Sequence, residues 1–511
     1  MFKGRIGKLL SLMLALCLLL SLCSFSQAAA APTNLVFYVM GDPPKDLQIV
    51  QDAINEKLIE KFNATVEFRF TTWTDYHPKY ANELISGTVD MVYIAGWMRY
   101  GTYAKQGAFL ELDALLDEFA PDLKAQAGEG LLNQCRIDGE LYAFPLLWSE
   151  YTSNGISYRE DLRKQFDLPV PDSIENFEAY IKGIQANMPE QGLLLPAPGD
   201  TDMGMQSGFR GSWVFNLKYP WVGIGGLSYG LASNYDTPAD VYDYWYSEDF
   251  ANDMKLMKQW ADEGFWTKSI LSDTNDFRHY EYGQSIAMVD GENPAKHIAH
   301  VRGFMDTYPD YETGFIAFGE STGVIYPAHG TQNGTAVLRS CKNPELAVQV
   351  LNYFMTDEAM NRLVQAGIEG THYELKDGIY YNLSKENPMP FPYEGLNTWN
   401  LRVKEYKMIQ ETDIELNEIF NRLEAVGAKT KFPNVNIAQG FAEDYTDYEA
   451  ERSAVQNVIL QYLAPLEAGV VADVDAAIAE FLEKVEAAGL EACREGFTEQ
   501  WLAYCEEFGY K

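Results

Sequence analysis

Two sets of residues in this chain could support a reaction, and a third is suited to binding. Gly226-Leu-Ser228-Tyr-Gly230 has the spacing of a nucleophile elbow, where a serine on a tight strand-to-helix turn attacks a carbonyl carbon. That chemistry needs a helix directly afterwards, and Leu231-Ala-Ser-Asn-Tyr-Asp-Thr-Pro238 has no amphipathic helical pattern. The 74 acidic residues could include the carboxylate pair of a glycosidase, but no local pattern selects two of them. No H-E-x-x-H zinc pattern occurs, and Asp200-Thr-Asp202 lacks the glycine and closing glutamate of a calcium loop. No catalytic residue, metal or cofactor is therefore expected. The third set is aromatic and polar. A sugar presents C–H faces that pack on aromatic rings and hydroxyls that need fixed donors and acceptors. Trp73, Trp97, Tyr100 and Trp148 could supply the rings, and Asp42, His329 and Asn333 the polar groups.

These residues matter because of the elements that hold them. Leu35–Val39 reads as a buried strand stopped by Gly41-Asp42-Pro43-Pro44. A helix capped by Asp46 follows, with Leu47, Val50, Ile54, Leu58 and Phe62 on one face. Val66, Phe68 and Phe70 alternate as a second strand. A helix over about 75–86 stops at Gly87, and Met91–Ala95 gives a third strand. Such a β-α-β-α-β run implies a largely parallel sheet. The strands end at Asp42, Trp73 and Trp97, and open α/β sheets bind ligands outside the carboxyl ends of their strands. No glycine-rich phosphate fingerprint stands there, which argues against a nucleotide. Further along, Ser173 and Ser247 cap helices, 208–246 is an irregular Gly/Trp/Tyr-rich stretch, and Ser285–Val289 is a strand. Asn343-Pro344 and Thr356-Asp-Glu358 open two more helices, and the tail from about Val455 is helical.

Residues 1–30 read as a secretory signal: Lys3, Arg5 and Lys8, an apolar run over Leu9–Leu22, then Ser26-Gln-Ala28 and Ala28-Ala-Ala30. Leu16 and Leu22 precede Cys17 and Cys23, where lipid attachment generally wants a small residue. Cleavage after Ala28 or Ala30 is expected, with acylation of Cys23 the alternative. The mature chain is expected outside the cell, soluble or tethered only at its start. A net charge of -35 with no basic run argues against nucleic acid as a partner. Four cysteines follow the leader, too few for a disulfide scaffold at this length. Cys493 and Cys505 fall in one helix about 18 Å apart, beyond bridging reach unless Gly496 breaks it. The pairing of Cys135 with Cys341 stays open.

Several motifs in a shared order carry a resemblance. They are Gly107-Ala-Phe-Leu-Glu-Leu-Asp113, Ile137-Asp-Gly-Glu-Leu-Tyr-Ala-Phe-Pro145, Leu168-Pro-Val-Pro-Asp-Ser-Ile-Glu-Asn-Phe177, Gly283-Gln-Ser-Ile-Ala-Met-Val-Asp-Gly291 and Lys342-Asn-Pro-Glu-Leu-Ala347. In that order they resemble family 1 of the extracellular solute-binding proteins of ABC importers. Gly367-Ile-Glu-Gly-Thr-His-Tyr373 and the tail from Asn457 to Gly489 are similar to a Gram-positive subgroup of polysaccharide-binding lipoproteins with an added C-terminal helical region.

The resemblance implies a two-lobed α/β periplasmic-binding-protein-like (type II) fold with parallel-rich sheets, helices on their faces and a ligand cleft between the lobes. The implied divisions are 31–145 with 315–370 as lobe 1, and 146–314 with 371–511 as lobe 2. Crossovers are expected near 146–149, 315–318 and 370–373. Asp290, Glu292 and Asn293 would face the cleft from the second lobe, and Glu369 is a candidate from the subgroup string. The implied function is capture of an oligosaccharide and its delivery to the permease subunits of an ABC importer, by a monomer without enzymatic activity. Binding of a peptide, polyamine or other small solute is the alternative within the class. A secreted carbohydrate-active hydrolase is the alternative outside it.

Overall fold

Leu35 to Met40 is buried along its whole length, as expected of a central strand covered on both faces. The structure, a computed structural model, describes residues 31–148, 150–151, 153–189, 207–272, 278–281, 283–386, 388–433 and 435–511. The leader read at 1–30 lies outside them. Among the described residues seven strands make the two principal sheets: β1 (Thr33–Met40), β2 (Ala64–Thr71), β3 (Met91–Ile94), β4 (Gly155–Arg159), β5 (Ala287–Glu292), β6 (Thr313–Ala317) and β7 (Gly334–Val337). The first sheet runs β7-β3-β1-β2, with β1 parallel to β2 and β3, and β7 antiparallel to β3. The second runs β6-β4-β5 with both pairs antiparallel.

Helices cover these sheets where the periodicity puts them. Leu47–Phe62 buries Val50, Ile54 and Leu58, one face at a spacing of four, and ends at Asn63 in the left-handed conformation. Asp46 stands at its N-cap position but makes no capping bond; its carboxylate lies 3.5 Å from His372 instead. Ser173, Ser247 and Asp357 do cap the helices that follow them, accepting from the N–H of Asn176, Phe250 and Met360 at 3.1, 3.1 and 2.8 Å.

The chain crosses between the lobes in three places, two of them later than the motifs implied. Leu147 packs on the first lobe's core and Ile156 belongs to the second, so the first crossover lies between them. Thr313–Ala317 pairs residue for residue with β4, and Ile325 still packs with Phe315 and Ala317. The return to the first lobe therefore falls between 326 and 334. Residues 371–409 also stay with the first lobe, where Phe391, Leu396, Leu401 and Val403 fill its core. Passage back is complete at the helix Asp413–Gly427, whose Leu416, Ile419 and Leu423 pack on Ile298 and Phe315.

The C-terminal region is built into the second lobe. Phe481, Val485, Cys493, Phe497, Trp501 and Cys505 share a core with Tyr180, Trp245 and Trp260. Cys493 and Cys505 lie in the single helix Leu490–Phe508, and Gly496 does not interrupt it. All four described cysteines are free thiols, so Cys135 and Cys341 are not bridged. No helix among the described residues is long and apolar enough to cross a membrane.

Candidate ligand-binding site

A cleft of about 640 Å³ opens between the lobes, lined from both. The first lobe contributes the carboxyl end of β3, where Ala95 leads into a tight turn over Gly96–Met98 and then the helix Tyr100–Lys105. Trp97 sits on that turn, half-buried, and its indole N–H donates to the Gln332 carbonyl at 3.3 Å. Arg99 joins turn to helix at φ 61°, a left-handed conformation uncommon outside glycine. The second lobe contributes Trp213, Tyr219 and Trp221. Tyr219 and Trp221 stack with centroids 4.5 Å apart. Their polar ends are anchored: Tyr219 donates to Asp253 and the Trp221 indole to Tyr242, both at 2.8 Å. Trp213 and Trp221 are buried in that lobe's core and Tyr219 is half-buried, so these rings give the cleft a fixed apolar lining.

Amide side chains supply the polar lining, among them Gln134, Asn154, Asn216, Gln332 and Gln439. His329 lines the cleft with Nδ1 accepting the Thr331 N–H at 3.3 Å and 2.8 Å from the Thr331 hydroxyl. The N–H bond assigns Nδ1 as acceptor and therefore Nε2 as the protonated nitrogen. Burial pushes the imidazole pKa down to about 4, so the ring is neutral at physiological pH. Glu443 is half-buried, and its Oε1 accepts the hydroxyls of Tyr229 and Tyr448 at 2.6 and 2.9 Å. Burial raises its carboxyl pKa, while those two hydrogen bonds and the Arg452 and Arg99 charges oppose the rise.

The residues singled out in the sequence divide. Trp97, Tyr100, Asn293 and His329 line the cleft. Tyr100 is buried with its hydroxyl donating to the Cys135 carbonyl at 2.6 Å, so it offers ring edge rather than a polar group. Asn293 also caps the helix Pro294–Thr307, its Oδ1 accepting from the Lys296 N–H at 3.0 Å. Asp290 and Glu292 lie within β5 rather than in a loop after it, and Trp73 begins the helix Trp73–Ser86. The side chains of all three lie outside the described residues.

Four candidates are not brought to the cleft. Asp42 is on an exposed turn, its carbonyl accepting from the Asn397 amide at 3.1 Å. Asn333 is buried and accepts the Tyr93 hydroxyl, a pairing that satisfies the start of β7. Trp148 lies at the first crossover beneath two cations, Lys407 at 4.6 Å and Arg402 at 5.5 Å from its ring. Arg402 in turn is bidentate to Glu394 at 2.5 and 2.6 Å and reaches Glu150 at 3.2 Å. Glu369 is exposed on a turn of the first lobe closed by the Gly370 N–H donating to Tyr373 at 2.7 Å. Ser228 does line the cleft, but the residues after it form β-structure (Leu231–Asn234), so the elbow geometry is absent there.

Sequence reasoning overlooked Trp213, Tyr219 and Trp221, and the entire C-terminal wall. The strap 437–445 runs along the first lobe: Gln439 donates to Gln332 at 2.7 Å, and Thr102 and Lys105 donate to the carbonyls of Glu443 and Ala442 at 3.2 and 3.4 Å. The approach is close enough that a Cβ on Gly101 would stand 2.2 Å from that of Ala442. The Gly/Trp/Tyr richness of 208–246 was the available signal for the first group.

Comparison with known proteins agrees with this architecture. A carbohydrate ABC transporter substrate-binding protein of Streptococcus pneumoniae serotype 4 is 23% identical, across 88% of this chain and 87% of that protein. Lipoprotein LipO of Bacillus subtilis is 21% identical across 79% of this chain and 80% of its own length. The crystal structure of the N-glycan transport solute binding protein NgtS of Streptococcus pneumoniae, in complex with Man1GlcNAc, superposes with a TM-score of 0.68 at 18% identity. It covers 93% of this chain and 100% of that one. Residues 437–506 match a domain of unknown function, DUF3502. The profile of the bacterial extracellular solute-binding proteins matches residues 53–370, more than half of the chain, and the protein belongs to that family of binding, non-enzymatic transport components.

Proposed function

We propose that this protein is the extracellular binding component of a carbohydrate ABC importer, holding an oligosaccharide between its lobes and delivering it to the permease. The observation that carries the reading is the lining of the cleft. Rings from both lobes, Trp97 from the first and Trp213, Tyr219 and Trp221 from the second, line it together with amide side chains. That combination matches the apolar faces and hydroxyl rims of sugars. A ligand touching both lobes favours the closed arrangement by its differential contacts, which is how such hinged proteins respond. The names of the pneumococcal relatives, one a carbohydrate binder and one holding a glycan, support the same class.

Trp97, Tyr100, Asn293 and His329 are the contacts proposed from the sequence, joined by Trp213, Trp221, Gln332 and Gln439. Trp73, which begins the helix after β2, and Asp290 and Glu292, in the last half of β5, remain proposals. The chain works as a monomer outside the cell, with permease subunits as its protein partners. The relative named as a lipoprotein keeps acylation of Cys23 as the alternative to cleavage near Ala28; mass spectrometry of the mature N-terminus separates the two.

The test is a thermal-shift screen of the mature protein against plant and microbial oligosaccharides. A glycan at about a hundred times its Kd adds about 2.7 kcal/mol to stability and raises the melting temperature. The tightest ligand is then incubated with the protein and recovered by chromatography. Recovery unchanged fits a binding protein, cleavage products would establish the hydrolase, and a response to peptides alone would overturn the carbohydrate assignment.

A further inference from the structure

One guanidinium in the cleft has no hydrogen-bond acceptor among the described residues. Arg452, on the helix Glu449–Val458 of the C-terminal region, lines the cleft with its side chain half-buried. A guanidinium carries five N–H donors. Among the described residues none of them meets an acceptor, and Nε is fully buried without one. What Arg452 does have is a platform: its guanidinium carbon stands 4.3 Å from the centroid of the Tyr445 ring. Glu443 is the one carboxylate in the described lining; its Oε1 accepts from Tyr229 and Tyr448, and Arg452 acts on it through charge without a hydrogen bond.

The wider charge pattern points the same way. The chain as a whole carries -35, a field that repels acidic ligands. Yet the described lining holds Arg99, Arg210 and Arg452 against the single Glu443. Arginine is less strongly hydrated than lysine, and its planar fork matches two carboxylate oxygens at once.

We propose that Arg452, stacked on Tyr445, receives a carboxylate of the bound glycan, so that the ligand contains an acidic sugar unit and the C-terminal region selects it. This rests on the carbohydrate reading above. The consequence is a specificity role for residues 437–506, which match a domain of unknown function.

Titration calorimetry on the mature chain tests it with paired probes. Oligogalacturonate, oligoglucuronate and sialyllactose are each set against the carboxyl-reduced or asialo counterpart, together with a sulfated oligosaccharide and its desulfated form. At least one carboxylate-bearing glycan is expected to bind about tenfold or more tighter than its counterpart, less so at high salt. Arg452→Gln brings that ratio to about one, and Arg452→Lys leaves it between the two, since charge remains and the fork is lost. Tyr445→Leu serves as the second variant, weakening the preference by removing the platform. Neutral glycans binding as tightly as their acidic partners would overturn the acidic unit and leave the carbohydrate reading standing. A preference for sulfate alone would overturn the carboxylate, and a ratio unchanged in Arg452→Gln and Tyr445→Leu would overturn the role of Arg452. No glycan binding at all would overturn both readings.

Discussion

The side-chain amide of Gln439 donates to that of Gln332 at 2.7 Å, joining the C-terminal region to the loop on which the chain re-enters the first lobe. One hydrogen bond thus ties the two walls of the cleft together beside Trp97, whose indole N–H meets the carbonyl of the same Gln332. Residue 332 is therefore positioned to respond to a ligand on either side.

The strap's contact with the first lobe depends on Gly101. Its missing Cβ leaves room for Ala442, and Gly101→Val forces the two apart. A cost of about 1–3 kcal/mol is expected, as for other overpacked contacts. Denaturation followed by tryptophan fluorescence should show it, together with weakened glycan binding. Stability equal to that of the natural chain would mean that the strap is not held there.

Trp97→Ala should weaken glycan binding about tenfold to more than a hundredfold, the equivalent of burying an aromatic side chain. Trp97 also packs against the first lobe's core, so the unliganded melting temperature should fall as well. Trp97→Phe separates the two effects by restoring most of the packing and part of the stacking. Calorimetry and a melting curve on each variant read them out.

His329 makes stability sensitive to acid. Its pKa is about 4 in the folded chain, below the value of about 6.5 for an exposed histidine. The unfolded chain therefore takes up this proton first as pH falls. Stability from the neutral ring is present above about pH 6.5 and is lost progressively down to about pH 4, by at most about 3 kcal/mol. In His329→Gln that part of the pH dependence should vanish. Melting temperatures of both proteins over this range decide it, and parallel curves would refute it.

Glu467 works in the opposite direction. Burial raises its carboxyl to about 7, and the Ser207 hydroxyl donates to it. Because the folded pKa lies above the unfolded one, its contribution is full below about pH 4.5 and is lost as pH rises through about 7. Glu467→Gln, which stays neutral, should be the more stable protein at pH 8 and gain nothing at pH 4.5. Equal melting temperatures at pH 8 would argue that the carboxylate is accommodated at no cost.

The first lobe was legible in the sequence because its elements are periodic. Val50, Ile54 and Leu58 repeat at helical spacing; in the second lobe only single helices were as plain, those that Ser173 and Ser247 announce with capping side chains. The site was less legible, since what decides membership is distant in the chain. Trp148 looks like a ligand platform until Arg402 and Lys407 are seen across its ring. Asn333 looks available until Tyr93 takes it. Trp213 and Trp221 sit in a stretch of short turns with no period to read, and the strap 437–445 reaches the first lobe through polar contacts that leave no hydrophobic pattern. The late crossovers were hidden for the same reason, because 371–409 holds to the first lobe through scattered residues such as Phe391 and Leu401.

The placement of Trp501 sets an order of events during export. Its indole donates to the Pro238 carbonyl at 2.8 Å from inside the second lobe's core. The first lobe holds everything its core needs by Met408, whereas the second waits for the final turns of the helix Leu490–Phe508. Domains fold as units once their sequence is available. A chain emerging N-terminus first can thus close one half while the other stays open, and a truncation a dozen residues short of the end would leave that half without its keystone. The wall of the cleft that Phe497 and Trp501 help to line needs that helix in place.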